Sequence, residues 1–263
     1  MSFNRIKGVL LQNLFFLRHS FEDIIDTFFW PTIDIIIWGF MTTYFISLRG
    51  SVASVISFLL GGLILWNIAW RAQQDISFAL LRNVWARNIL SLFASPLAPS
   101  EFIVATIIFG FFKIILTVSF VSAIAFILYH FNIFSLGFYL LPFFINLIVF
   151  AWVAGIFITG LIIRFGMRIQ SFAWSLIILL QPISAVFYPV SILPVFLQKI
   201  AFFLPTAHIF EGMRQVLNTG KMSPEHIIWA TIFNIIYLII SSLFFSFMFE
   251  KAREKGKLAK AEM

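Results

Sequence analysis

The chain has 263 residues, of which 61% are hydrophobic and only 11% charged, and its mean hydropathy is +1.01. This exceeds what one water-soluble core of that length uses, so the composition specifies a polytopic α-helical membrane protein. The net charge of +7 does not call for nucleic acid, because the basic residues fall between apolar runs and at the C-terminus, where lipid and membrane orientation account for them; the lack of cysteine excludes disulfides, thiolate metal sites and a cysteine nucleophile.

Residues 1–26 are amphipathic. Phe3, Ile6, Leu10, Leu14, Leu17, Phe21 and Ile24 recur at steps of three and four, with Lys7, Arg18, Glu22 and Asp26 opposite, as in a helix lying in the membrane interface. Arg5 and Lys7 before an apolar run resemble a signal peptide, but Gln12 and Asn13 interrupt the run and no small-residue cleavage site follows, so the segment is read as retained. A first span covers residues 27–48, with Pro31 in its first turn, and a second covers residues 52–70, where Gly61 and Gly62 allow close helix approach.

Residues 71–101 form the long interior segment polar enough to sit in water. Arg71, Arg82 and Arg87 outnumber Asp75 and Glu101, which marks the segment as cytoplasmic. Its first part reads as a helix continuing inward. Ser95-Pro96 and Pro99-Ser100 then bracket a short apolar piece, a stiff knob, with Ser100 placed to cap the next span. The third span is 102–129, interrupted only by Lys113, and the fourth is 136–163, ending at the basic loop of Arg164 and Arg168. The fifth runs from Gln170 to about Pro182.

Residues 183–225 are apolar yet broken by Pro189, Pro194 and Pro205, too irregular to span and too apolar for a solvated loop. Short helices folded part-way into the membrane fit best, with Thr206 capping a helix over 207–217. Ser223-Pro224 opens a last span, 227–249. The positive-inside rule orients the whole. Thirteen basic residues (Arg5, Lys7, Arg18, Arg71, Arg82, Arg87, Arg164, Arg168, Lys251, Arg253, Lys255, Lys257, Lys260) fall on one side against Arg49, Lys199, Arg214 and Lys221 on the other, so both termini are expected in the cytoplasm.

Two charges fall inside spans. Asp34 and Lys113 lie at comparable depth from the inner face, and an unpartnered charge near the bilayer centre costs about 2.5–3.5 kcal/mol on insertion scales, so a pair is expected; the alternative is that Lys113 snorkels and Asp34 faces water in the path. No catalytic constellation appears. His19, His130, His208 and His226 are scattered, His208 and Glu211 at i,i+3 read as a helix-surface pair, and neither Gly-Lys dipeptide has the flanking residues of a phosphate-binding loop, so the chain is expected not to be an enzyme and to hold no cofactor or metal.

The order interfacial helix, two spans, knob, three spans, broken outer hairpin and last span resembles the type-2 ABC exporter permeases. Three stretches carry the resemblance: residues 88–101 (NILSLFASPLAPSE), 181–194 (QPISAVFYPVSILP) and 204–214 (LPTAHIFEGMR). It implies an all-α fold of six transmembrane helices with an N-terminal interfacial helix and an outer re-entrant hairpin, working as a dimer in the inner (plasma) membrane with a separate ATPase subunit that carries ATP and magnesium. The knob of Leu92, Phe93, Ala94, Ser95, Pro96, Leu97 and Pro99 would be the coupling helix docked on that ATPase. Pro182, Phe187, Tyr188, Pro189, Pro194, Pro205, His208, Glu211 and Arg214 would belong to the outer gate, and the cargo would be amphipathic or lipid-linked, a glycan or a drug. The competing class is an ion- or proton-driven secondary transporter, which wants inverted repeats and ionisable groups at the midplane.

Overall fold

The computed structural model describes residues 2–49, 53–86 and 88–254, and every element in them is helical. Helix α1 (Phe3–His19) stops at Ser20, whose backbone turns extended. The Ser20 hydroxyl then accepts from the Asp23 amide at 3.2 Å and so caps the next helix, α2 (Phe21–Arg49). The break shortens the interfacial segment expected from the sequence and gives residues 21–26 to α2. Pro31 therefore lies well inside a helix rather than in a first turn, and the hydroxyls of Thr27 and Thr32 bond to the carbonyls of Asp23 and Phe28 around it.

The central element is α3 (Ala53–Trp85), about 50 Å long at 1.5 Å per residue. Its burial corrects the sequence reading. Instead of entering water after residue 70, the helix stays buried through Val84 apart from half-buried Trp70, Phe78 and Arg82. Of the polar side chains that suggested water, Arg71, Gln73, Asp75 and Arg82 each find a partner on a neighbouring helix.

A six-residue helix, α4 (Ile89–Ala94), leads into α5 (Pro99–Tyr129), which ends where His130 takes a left-handed conformation (φ 53°). Residues Ile133–Tyr139 form a 3-10 turn broken at Gly137 and feed α6 (Leu140–Phe165). Then come α7 (Gln170–Leu180), turns through residue 189, α8 (Val195–Phe202), α9 (Pro205–Thr219) and α10 (Pro224–Glu254).

Contacts between helix ends give the directions of the long helices: α2 and α5 start at one end of the bundle, and α3, α6 and α10 finish there. The start of α2 meets the end of α3 (Asp23 with Arg82), the start of α1 meets the start of α5 (Ser2 and Arg5 with Glu101), and the end of α6 meets that of α10 (Arg164 with Met248). This is the basic end. Two large apolar cores stack along the bundle, one at the basic end, including Leu80, Phe102, Ile162 and Phe249, and a larger one towards the other end, including Trp66, Phe143, Leu147 and Phe210; a small third one, Leu193, Ala201 and Ala207, lies in the proline-broken segment. Four stretches among the described residues are long and apolar enough to cross a membrane: Asp23–Tyr44, Pro99–Tyr129, Ile133–Phe165 and Pro224–Glu254. The helix at the expected fifth span is short. Helix α7 has 11 residues, about 16 Å, half the thickness of a hydrocarbon core, and the chain continues beyond it in turns.

Candidate functional site

At the basic end α4 projects with Ser91, Ala94, Ser95 and Pro96 exposed, while Leu92 and Leu97 pack against the core beneath; the side chain of Phe93 lies outside the described residues. Pro99 begins α5, so the expected cap, Ser100, is already helical, and the N-cap is Ala98, which has no side-chain oxygen. The residue that closes the end is Glu101. Its buried carboxylate accepts from the Ala98 amide (3.0 Å), from the Ser2 amide (2.6 Å) and from Arg5 (3.4 Å), while Arg5 also donates to the Pro96 carbonyl at 2.6 Å. One acid thus ties the start of α1, the base of the knob and the first turn of α5 together. Gln12 of α1 also donates to Asn83 of α3 at 3.3 Å.

The charges on α3 are paired outward. Arg71 meets Asp26 at 2.7 Å, Arg82 meets Asp23 at 2.9 Å, and Gln73 donates to the Ala173 carbonyl of α7 at 3.1 Å. The expected Asp34–Lys113 pair is not formed. Lys113 donates instead to Asp75 at 2.8 Å, and both side chains are almost wholly buried. The reason lies one turn away, where Gly110 lets the helices close up: a Cβ there would stand 3.2 Å from that of Asp75. Asp34 is half-buried on α2, and its carboxylate makes no hydrogen bond or ion pair among the described residues.

The proline-broken segment is stitched by side chains. Glu211 accepts from the Val190 amide at 2.6 Å and from Arg214 at 3.1 Å; Arg214 also donates to the Ala185 carbonyl at 2.8 Å and lies over the Phe58 ring. Ala185 has a positive φ of 54°, costly for a residue with a Cβ, so its carbonyl is fixed at a strained point of the chain. Burial pulls the Arg214 guanidinium below its usual pKa, an effect opposed by its bond to Glu211. Phe187 stacks on Trp38 of α2, and the Tyr188 hydroxyl donates to the Pro182 carbonyl at 2.8 Å. Pro194 ends in extended backbone ahead of α8, and Pro205 is buried in the first turn of α9. Thr206 is thus inside the helix rather than its cap, and it shares a 2.7 Å hydrogen bond with Ser184. His208 is not paired with Glu211. Its Nε2 lies 2.7 Å from the Phe202 carbonyl, and the ring packs among Phe202, Phe233 and His226.

Two of the surface clefts among the described residues have the volume of a small-molecule site. One, of about 780 Å³, is almost wholly apolar and lies between α3, α5, the 3-10 turn and α6. The other, of about 670 Å³, lies at the basic end between α1, α2, α3 and α7 and combines aromatic rings with Asp23, Asp26 and Arg82.

Long apolar helices, buried inter-helix ion pairs and an irregular segment sealed by side chains define a multi-pass α-helical membrane protein. The chain belongs to the ABC-2 type transporter family, whose sequence model matches residues 20–218, from the start of α2 to the end of α9. No curated protein matches it. The family is one of transport permeases, generally not catalytic themselves, so the chain is a membrane domain of an ABC transporter.

Proposed function

We propose that the chain is the membrane-spanning subunit of an ATP-driven exporter, in which two copies form the translocation path and a separate ATPase subunit, carrying ATP and magnesium, docks on α4. The observation that carries this reading is the knob: a short exposed helix whose base is held rigid by Glu101, Arg5 and the α1 start, a geometry suited to receiving force from a partner and passing it to α5. Six passes with both termini in the cytoplasm follow from the positive-inside count, with α3 and α7 plus its following turns completing the four long apolar helices. Residues 182–214 then sit at the outer face as a lid over the exit. The exposed Ile192, Val195, Phe196 and Phe203 support a place in lipid rather than in water. An amphipathic or lipid-linked cargo suits such a path.

The competing secondary transporter would draw on the Asp75–Lys113 pair as an ionisable group deep in the bundle. One set of experiments separates the two. Because the chain has no cysteine, Ser91→Cys and Ser191→Cys are clean reporters. Ser91→Cys is expected to crosslink to a co-expressed ABC ATPase and to react only from the cytoplasmic side, and Ser191→Cys only from outside. Labelling from the same side at both positions would overturn the topology. Transport in vesicles driven by a proton gradient and indifferent to ATP would overturn the exporter.

A further inference from the structure

We propose that the cleft at the basic end is a binding site for an amphipathic organic cation. Its walls are aromatic: Trp30 from α2, Phe78 and Trp85 from α3, and Trp174 from α7. The Phe78 ring sits 4.5 Å from that of Trp174 and 6.4 Å from that of Trp85, so three of the rings form one surface, and all three tryptophans are about half exposed. Tryptophan faces are the best ring partners for a cation, and rigid rings also take up the apolar body of a ligand.

The floor is acidic. Asp23 gives one carboxylate oxygen to Arg82 and Asp26 gives one to Arg71, and the other oxygen of each has no protein partner among the described residues. Both side chains remain partly exposed, at 17% and 25%. Arg71 stands behind Asp26 and does not line the cleft; each acid is matched by one arginine, so what the two acids offer the cleft is a free carboxylate oxygen apiece rather than a net charge. The volume of about 670 Å³ is that of a small-molecule site.

Two other ligand classes meet the same lining. An anion would face the electron-rich ring faces and the free carboxylate oxygens, which disfavour it. A sugar could stack on the rings and hydrogen-bond to those oxygens and to the indole N–H groups, so an oligosaccharide is the competing ligand. The larger cleft has the opposite character: it offers no charged group and so no means of choosing a cation over a neutral hydrocarbon.

That a bound cation would go on to be cargo rests on the permease reading; binding itself does not, and it can be measured without any ATPase. The full chain in phosphatidylcholine nanodiscs is titrated with radiolabelled tetraphenylphosphonium, and empty nanodiscs give the lipid background. Saturable binding is expected, displaced by dodecyltrimethylammonium but not by maltoheptaose or by tetraphenylborate, the anion of nearly equal size. Trp30→Leu combined with Trp174→Leu should weaken it at least tenfold; both side chains are exposed enough that the bundle should tolerate the change. Phe138→Leu, in the larger cleft, should leave it unchanged. Asp26→Asn should also weaken it, but this variant strands Arg71, so it is interpreted only if the protein remains monodisperse. The proposal is overturned by binding no greater than in empty nanodiscs, by equal displacement with tetraphenylborate, by displacement with maltoheptaose, or by loss in Phe138→Leu with none in the double tryptophan variant.

Discussion

The two ends of the bundle hold buried charge by different means. At the basic end and in the middle, each pair joins residues far apart in the chain, Asp23 to Arg82, Asp26 to Arg71 and Asp75 to Lys113, and so fixes one helix against another. In the proline-broken segment Glu211 and Arg214 sit one turn apart on α9, and their spare groups go to the backbone of Val190 and Ala185. In the first region the helices already satisfy their own backbones, and charge specifies how they pack. In the second the backbone is irregular, and charge replaces hydrogen bonds that a helix would have made. Breaking a pair should therefore be felt throughout the bundle in the first case and locally in the second.

The largest effect is expected at Lys113. Lys113→Met leaves Asp75 buried without its partner, a change that typically costs about 3–5 kcal/mol, and Asp75 already has a second buried oxygen with no hydrogen bond. The variant should lose most of its monodisperse peak in detergent chromatography. Asp75→Leu together with Lys113→Met should restore much of it, because a hydrophobic replacement of similar size removes both charges at once. Asp34→Asn should barely change the profile. A wild-type profile for Lys113→Met alone would mean that the pair does not hold α3 to α5.

A smaller and more local effect is expected at Glu211. Glu211→Gln weakens two charge-assisted bonds, a loss on the order of 1–3 kcal/mol, but only the segment stitched by them should respond. In hydrogen exchange followed by mass spectrometry, peptides covering residues 185–190 should exchange faster while those from α3 stay protected. Faster exchange in both would show that the segment is not an independent unit, and the contrast between the two regions would fail.

Much of this was legible in the sequence, and the failures have physical causes. Prolines and apolar composition located the broken segment, and Ser95-Pro96 located the knob. The sequence reading matches Glu211 with His208, although Arg214 stands at the same i,i+3 spacing on its other side and carries the opposite charge. The Lys113 partner was not legible. Depth along a helix can be counted from sequence, but which side of the helix faces which neighbour cannot, and Asp34 and Asp75 differ in that respect. The segment from Arg71 to Trp85 was misread for the same reason, since its charges are neutralised by Asp23 and Asp26, 59 and 45 residues earlier. The two capping errors share a different cause. At Ser100 and Thr206 a hydroxyl was given weight over the proline just before it, yet a proline at the first helical position puts the cap one residue earlier. Glu101, three residues after Ala98, was the overlooked signal.

The smallest predicted effect tests the broken segment through pH. With Nε2 2.7 Å from the Phe202 carbonyl, His208 must carry its proton on that nitrogen. Burial lowers its pKa below the ordinary 6.5; the bond to the Phe202 carbonyl raises it, nearby His226 lowers it and Glu211 raises it, and the net direction is down. The sign follows from linkage. Below the unfolded value, about 6.5, the unfolded chain takes up a proton that the folded segment resists, so the contribution is present above that pH and lost as pH falls towards the depressed folded value. The ring is only half-buried, so the loss between pH 7 and pH 5 should be modest, on the order of 1–2 °C in Tm for a chain of this size. His208→Gln keeps a donor near the Phe202 carbonyl but cannot titrate, so its Tm should be flatter over the same interval. An unchanged slope in that variant would assign the pH response to other groups. A steeper one would mean that protonated His208 stabilises the segment through Glu211, the reverse of the balance that burial favours.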